Sequence, residues 1–167
     1  RSTLFPYTTL FRSFYSEEEI IVTNGASEAL DTSLRSIIEP GDEILIPGPI
    51  YAGYIPLVET LGGKPIYIDT THSDFKVTPE LIETYFTNQT KAILLNYPTN
   101  PTGVILERSE VEALVHYLKT KEIFIISDEI YAENTFTGTH TSFAEYEEIR
   151  DQLLLIGGLS KSHSATG

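Results

Sequence analysis

The chain has 167 residues, 41% of them hydrophobic, enough for one domain with a real core and short for two. Eleven Lys and Arg stand against 24 Asp and Glu, a net charge of -13, which argues against nucleic acid or an anionic membrane as partner. There is no cysteine, the four histidines (His72, His116, His140, His163) lack ligand spacing, and no apolar stretch approaches the roughly 20 residues that span a bilayer, so the expectation is a cytoplasmic protein without a metal.

The first thirteen residues are set apart. TLFPYTTLFRS (Thr3 to Ser13) reads as one translated frame of a common sequencing adapter, the alternative being a natural strand-like arm rich in Phe, Tyr and Thr. Without Arg1 and Arg12 the remainder carries 9 basic and 24 acidic residues, a charge of -15. From Phe14 onward, short β-rich runs alternate with helical patterns. Strands are expected at 20–23, 43–46, 65–69, 92–96, 123–127 and 153–156, most of them apolar throughout, as in strands buried on both faces. Helices are expected at 27–38, roughly 51–61, 79–86 with Thr78 as N-cap and Pro79 at the first position, and 109–119, where Val111, Leu114, Val115 and Leu118 fall at helical spacing. This alternation predicts an α/β fold, a mostly parallel sheet with helices on both faces, whose ligands bind beyond the carboxyl ends of the strands. The acidic clusters 17–19 and 145–148 read as solvated faces.

The loops at those strand ends are unusual. Gly25-Ala26-Ser27 opens the helix after the first strand, where free N–H groups and the helix dipole suit a phosphate; Ser27 capping its own helix is the plainer reading. A third reading is a hydrolase nucleophile elbow, Gly25-Ala26-Ser27-Glu28-Ala29, with Asp128 and then His140 or His163 in the right chain order. The second loop presents Tyr51 at a helix start, where its ring can lie on a heteroaromatic ligand or simply join the core. In the third, Asn96-Tyr97-Pro98-Thr99-Asn100-Pro101-Thr102-Gly103, two Xaa-Pro steps and a glycine fix a turn that holds Asn100 toward a ligand oxygen. The fourth, Ser127-Asp128-Glu129-Ile130-Tyr131, ends a very apolar strand with a carboxylate fit to pair with a cationic ring nitrogen or to cap a turn. Lys161, in GGLSKSHSATG after 153–156, is placed for Schiff-base chemistry; His163 beside it has no assigned role.

NYPTNPTG and SDEIY, followed by SK, in this order and spacing, resemble the class I and II aminotransferases, pyridoxal-phosphate enzymes of fold type I, over essentially all of residues 16–167. The resemblance implies that pyridoxal 5'-phosphate is the cofactor and that Lys161 forms the internal aldimine. It further implies that Asp128 pairs with the pyridine nitrogen, that Asn100 and Tyr131 bond the phenolic oxygen, that Tyr51 stacks on the ring and that Gly25, Ala26 and Ser27 hold the phosphate. SDEIYAE and GGLSKSHSATG look most like the bacterial branch that includes N-acetyl-LL-diaminopimelate and aromatic aminotransferases. The family usually works as a homodimer on an amino acid and a 2-oxo acid; lyases and aminotransferase-like regulator halves share the fold. Two departures stand out. Gly158 occupies a position where the family often has a phosphate-binding hydroxyl, leaving Ser160 as a substitute, and the family's phosphate and substrate-carboxylate arginines fall beyond Gly167. Residues 14–167 are therefore expected to be a partial large domain, inactive and poorly stable alone.

Overall fold

The computed structural model describes residues 15–166; the segment 1–13 lies outside them. The order of elements is helix α1 (Gly25–Ile37), strand β1 (Glu43–Gly48), helix α2 (Tyr54–Thr60), strand β2 (Lys64–Asp69), helix α3 (Pro79–Tyr85), strand β3 (Thr90–Asn96), helix α4 (Arg108–Leu118), strand β4 (Phe124–Asp128) and strand β5 (Leu153–Ile156). The strands form one sheet in the order β2-β1-β3-β4-β5, and every pair is parallel. The α/β expectation therefore holds, with strand and helix ends shifted by up to three residues.

Alternation along each strand divides the apolar side chains between two cores. Ile44, Ile46, Leu94, Ile126 and Ile156 pack with Leu30, Leu34 and Ile37 of α1 and with Tyr54 and Val58 of α2. Leu45, Ile93, Leu95, Ile125 and Leu153 pack on the other face with Ile82 of α3, with Val111, Leu114, Val115 and Leu118 of α4, and with Phe143 and Ile149. Each such side chain contributes about 1.5–3 kcal/mol when fully buried, so both faces need their helices. Helix α3 begins as its sequence dictates: the Thr78 side chain accepts from the Leu81 N–H at 3.2 Å, and Pro79 follows as the first helical residue.

One expected strand is absent. Residues 20–23 make no ladder; Ile21 is 79% and Val22 91% exposed. Their apolar run reads as a buried strand, but a strand needs a neighbour to take its backbone hydrogen bonds, and none of the five strands pairs with this segment. It instead lines a cleft of about 480 Å³ with β5.

The strand order has a consequence for ligand binding. After β1 the chain turns to α2 on one face, and after β3 it turns to α4 on the other, so the loops diverge beyond the carboxyl ends of β1 and β3. A crevice opens at such a switch point in open α/β sheets.

Candidate active site

Register brings the site residues level. Asn96 is the Cα partner of Asp128 across β3 and β4, and Asp128 is the partner of Ile156 across β4 and β5. Three consecutive strands thus end on one line, with Tyr51 following β1 and Lys161 following β5.

Asp128 is 3% exposed. Its Oδ2 accepts from the Tyr54 hydroxyl at 2.7 Å and its Oδ1 from the Ile130 N–H at 3.2 Å. Burial pushes this carboxyl above the usual carboxylate range; the two donors pull it back, and the adjacent Glu129 charge raises it further. Such a group gains most from a nearby cation, which supplies what lost water no longer does. Tyr54, the donor, is itself pushed upward, first by its burial and then by the Asp128 charge.

The asparagine loop is fastened to the same strand end. The Asn96 side chain donates from Nδ2 to the Asp128 carbonyl at 2.9 Å, while its Oδ1 accepts from the Asn100 N–H at 3.0 Å. One buried amide therefore sets the spacing between the two loops. Thr99 and Val104 close the turn with a 3.0 Å backbone bond, and Gly103 takes φ +72°, a conformation open to glycine. Tyr97 anchors its other flank by accepting from the Val77 N–H at 3.0 Å.

Tyr51 is 47% exposed and meets Tyr54 edge-on, with ring centroids 5.4 Å apart. Its ring is accessible, as a stacking surface must be, and is not part of the core. Beyond β5 the Leu159 carbonyl accepts from the His163 N–H at 2.9 Å, closing the turn that carries Lys161. Lys161 Nζ stands 5.7 Å from the centroid of the Tyr131 ring. Helix α1 starts at Gly25, at φ +77°, with Asn24 as N-cap and no side-chain capping bond. Ser27 is thus in the first turn, which corrects the reading of it as the cap. The cleft beside β5 is lined by Gly25 together with Gly157, Gly158 and Ser160, so the helix start and the lysine loop face shared space. A Cβ added to Gly158 would lie 3.0 Å from Ile130 Cδ1, so the side chain of Ile130 takes up the space at that departure.

The hydrolase arrangement does not assemble. Both Asp128 oxygens are taken by Tyr54 and Ile130, His140 Nε2 lies 2.6 Å from Glu129, and His163 pairs with Ser162. The acidic clusters are largely solvated, as expected: Glu17, Glu18, Glu19, Glu147 and Glu148 are exposed, and Glu19 pairs with Arg150 and Glu145 with Arg108 at the surface. Residue-by-residue reading missed Tyr54, whose signal was its place three residues after Tyr51, and the clamping role of Asn96, which lay inside the quoted NYPTNPTG.

A family model described as "Aminotransferase class I and II" matches residues 8–167. A protein named "Probable N-acetyl-LL-diaminopimelate aminotransferase" from Bacillus subtilis is 49% identical over 155 residues, covering 93% of this chain and 39% of the relative. An aspartate aminotransferase from Thermotoga maritima is 37% identical over 158 residues, covering 94% of this chain and 42% of its own length. Among solved structures, an aspartate aminotransferase from Thermotoga maritima superposes with a TM-score of 0.89 at 36% identity, covering 96% of this chain and 43% of that one. An aspartate aminotransferase variant from Thermus thermophilus gives 0.91 at 30% identity, with 96% and 42% covered. The chain spans about 40% of the length of the curated relatives it matches.

Proposed function

The chain belongs to the class I and II aminotransferases, and we propose that it forms part of a pyridoxal-phosphate-dependent transaminase that moves an amino group from an L-amino acid to a 2-oxo acid. The observation that carries this reading is the meeting of Lys161 and Tyr131 at the same sheet end as the buried Asp128.

The residues fit the cofactor. Asp128, desolvated and with its carboxyl raised by burial, suits a ring nitrogen that is cationic when protonated. Tyr51 offers an open aromatic face, Tyr131 lies beside Lys161, the Asn100 loop is tied through Asn96 to the end of β4, and Gly25, Ala26 and Ser27 present a helix start to a phosphate. When bound, the cofactor supplies the electron sink that makes a substrate α-carbon acidic. The chain supplies the rest. Lys161 Nζ would hold the cofactor and, as a free amine, would take the proton from a substrate α-carbon. Tyr51 and Asp128 would orient the ring relative to Lys161.

Residues 14–167 are read as part of the cofactor-binding large domain, in a cytoplasmic homodimer at native length. The 49% identity to a probable N-acetyl-LL-diaminopimelate aminotransferase supports that branch for the substrate. Borohydride reduction of the native-length protein with its cofactor should fix pyridoxyl mass on the peptide containing Lys161, and Lys161→Ala should abolish both the label and turnover. Transamination retained by Lys161→Ala would overturn the assignment.

A further inference from the structure

Glu129 has no part in the chemistry just described, yet it is a carboxylate 2% exposed and next in the chain to Asp128. The two neighbours leave the end of β4 on opposite faces. Asp128 reaches Tyr54 on the face covered by α1 and α2; Glu129 reaches Phe143 on the face covered by α3 and α4. Glu129 Oε1 accepts from Ser127 Oγ at 2.9 Å and from the Phe143 N–H at 3.1 Å, and its Oε2 lies 2.6 Å from His140 Nε2. Its backbone is held too. The Glu129 N–H donates to the Ile156 carbonyl at 2.8 Å, and the Glu129 carbonyl accepts from the Ala132 N–H at 2.9 Å.

A carboxylate taken out of water persists only where donors meet its lone pairs. Here those donors come from β4 itself and from the 140–143 segment. The turn carrying Asp128 and Tyr131 is therefore gripped from both faces of the sheet. Rotating the Asp128–Glu129 peptide would break the Tyr54 bond on one side and the Ser127, His140 and Phe143 bonds on the other.

We propose that Glu129, with His140 as its partner, is a positioning residue for the cofactor site, tying the Asp128–Tyr131 turn to the 140–143 segment so that Asp128 and Tyr131 meet the cofactor in fixed orientation. The proposal rests on the reading of Asp128 as the partner of the ring nitrogen. It accounts for a buried Glu129 paired with the part-buried His140 beside the site, and it assigns the pair to orientation, with no role in proton transfer.

The test uses the native-length protein and pyridoxal phosphate, with Glu129→Ala, Glu129→Gln, His140→Ala and Asp128→Asn compared by cofactor dissociation constant, by the pH titration of the bound chromophore and by amide exchange. Glu129→Ala should weaken cofactor binding about tenfold, the scale on which outer hydrogen bonds act on a ligand site, displace the chromophore titration, and speed exchange at Phe143 and Ala132 but not in β1 to β3. Glu129→Gln, which keeps an oxygen for Ser127 and Phe143, should recover most of the loss. His140→Ala, at a partly exposed position, should give a smaller shift in the same direction and decides the matter if Glu129→Ala fails to fold. Parental affinity and titration in His140→Ala, or in a folded Glu129→Ala, would overturn the proposal. If Asp128→Asn also binds the cofactor at parental affinity, the reading of Asp128 itself has failed; if only Asp128→Asn is impaired, the positioning role alone falls.

Discussion

The Tyr54 hydroxyl lies 2.7 Å from Asp128 Oδ2, joining the first turn of α2 to the end of β4 across 74 residues of chain. Because Asp128 is desolvated, this donor is one of two that hold its carboxyl down against burial. Tyr54→Phe should raise the Asp128 carboxyl further and destabilise the chain by about 1–3 kcal/mol through a buried oxygen left unmet. The pH dependence has a definite sign. A carboxyl raised in the folded state favours folding in acid and loses that contribution as pH rises through its folded value. The gap between variant and parent should therefore be smallest in acid and widen as pH rises. Urea unfolding at several pH values measures it, and a gap independent of pH would refute the coupling.

Gly53 controls the open ring of Tyr51. A Cβ at residue 53 would stand 2.4 Å from Tyr51 Cε1, although the backbone there, at φ -71°, suits any residue. Gly53→Ala should therefore cost at most about 1 kcal/mol, since Gly53 is the N-cap of α2, a position where glycine is preferred to alanine. The half-exposed ring must swing away, and cofactor affinity should drop several-fold. Thermal unfolding and cofactor titration on the same preparation separate the two effects; unchanged affinity would show that Tyr51 does not stack.

Why some features were legible and others were not follows from how each is encoded. Strands β1 to β5 and all four helices are written in local apolar periodicity, and both pattern and caps survive in the fold, as at Thr78 and Pro79. Residues 20–23 carry the same local pattern but make no ladder, because pairing depends on a neighbour that periodicity does not reveal. Asn100 and Lys161 were visible because prolines and glycines mark their loops, and Asp128 because a carboxylate ends a very apolar strand. Tyr54 and Glu129 were hidden because their partners, Asp128 and His140, lie on other elements of the chain, and only the tertiary packing brings them together. Glu129 was legible as part of SDEIY without any sign that its side chain turns to the opposite face from Asp128.

Tyr97 is the outer fastening of the asparagine loop. Its hydroxyl accepts from the Val77 N–H at 3.0 Å and is pushed up to about 12, chiefly by burial. Tyr97→Phe keeps the ring in the core but leaves a buried N–H with no acceptor, which costs about 1–3 kcal/mol. The loss should appear equally with and without cofactor, because Tyr97 faces the α3 and α4 core and not the ligand crevice. Denaturant midpoints in both states measure this; a loss confined to the cofactor-bound state would place Tyr97 in the ligand site instead.

Glu19 fastens the segment that precedes α1. The Ser16 backbone N–H and hydroxyl each donate to its Oε2 at 2.8 Å, and Arg150 reaches its Oε1 at 2.6 Å, together lowering the carboxyl to about 2. A depressed carboxyl contributes to folding above its unfolded value of 4.5 and loses that contribution as pH falls toward about 2. Residues 15–23 should therefore come away from the 147–152 turn in strong acid, well before the sheet opens. A carbon-detected titration of the Glu19 carboxyl should give a midpoint near 2. Ser16→Ala should raise that midpoint while leaving it below 4.5, because the Ser16 backbone bond and Arg150 remain. A parent midpoint already at 4.5 would mean that neither Ser16 nor Arg150 holds this carboxylate in solution.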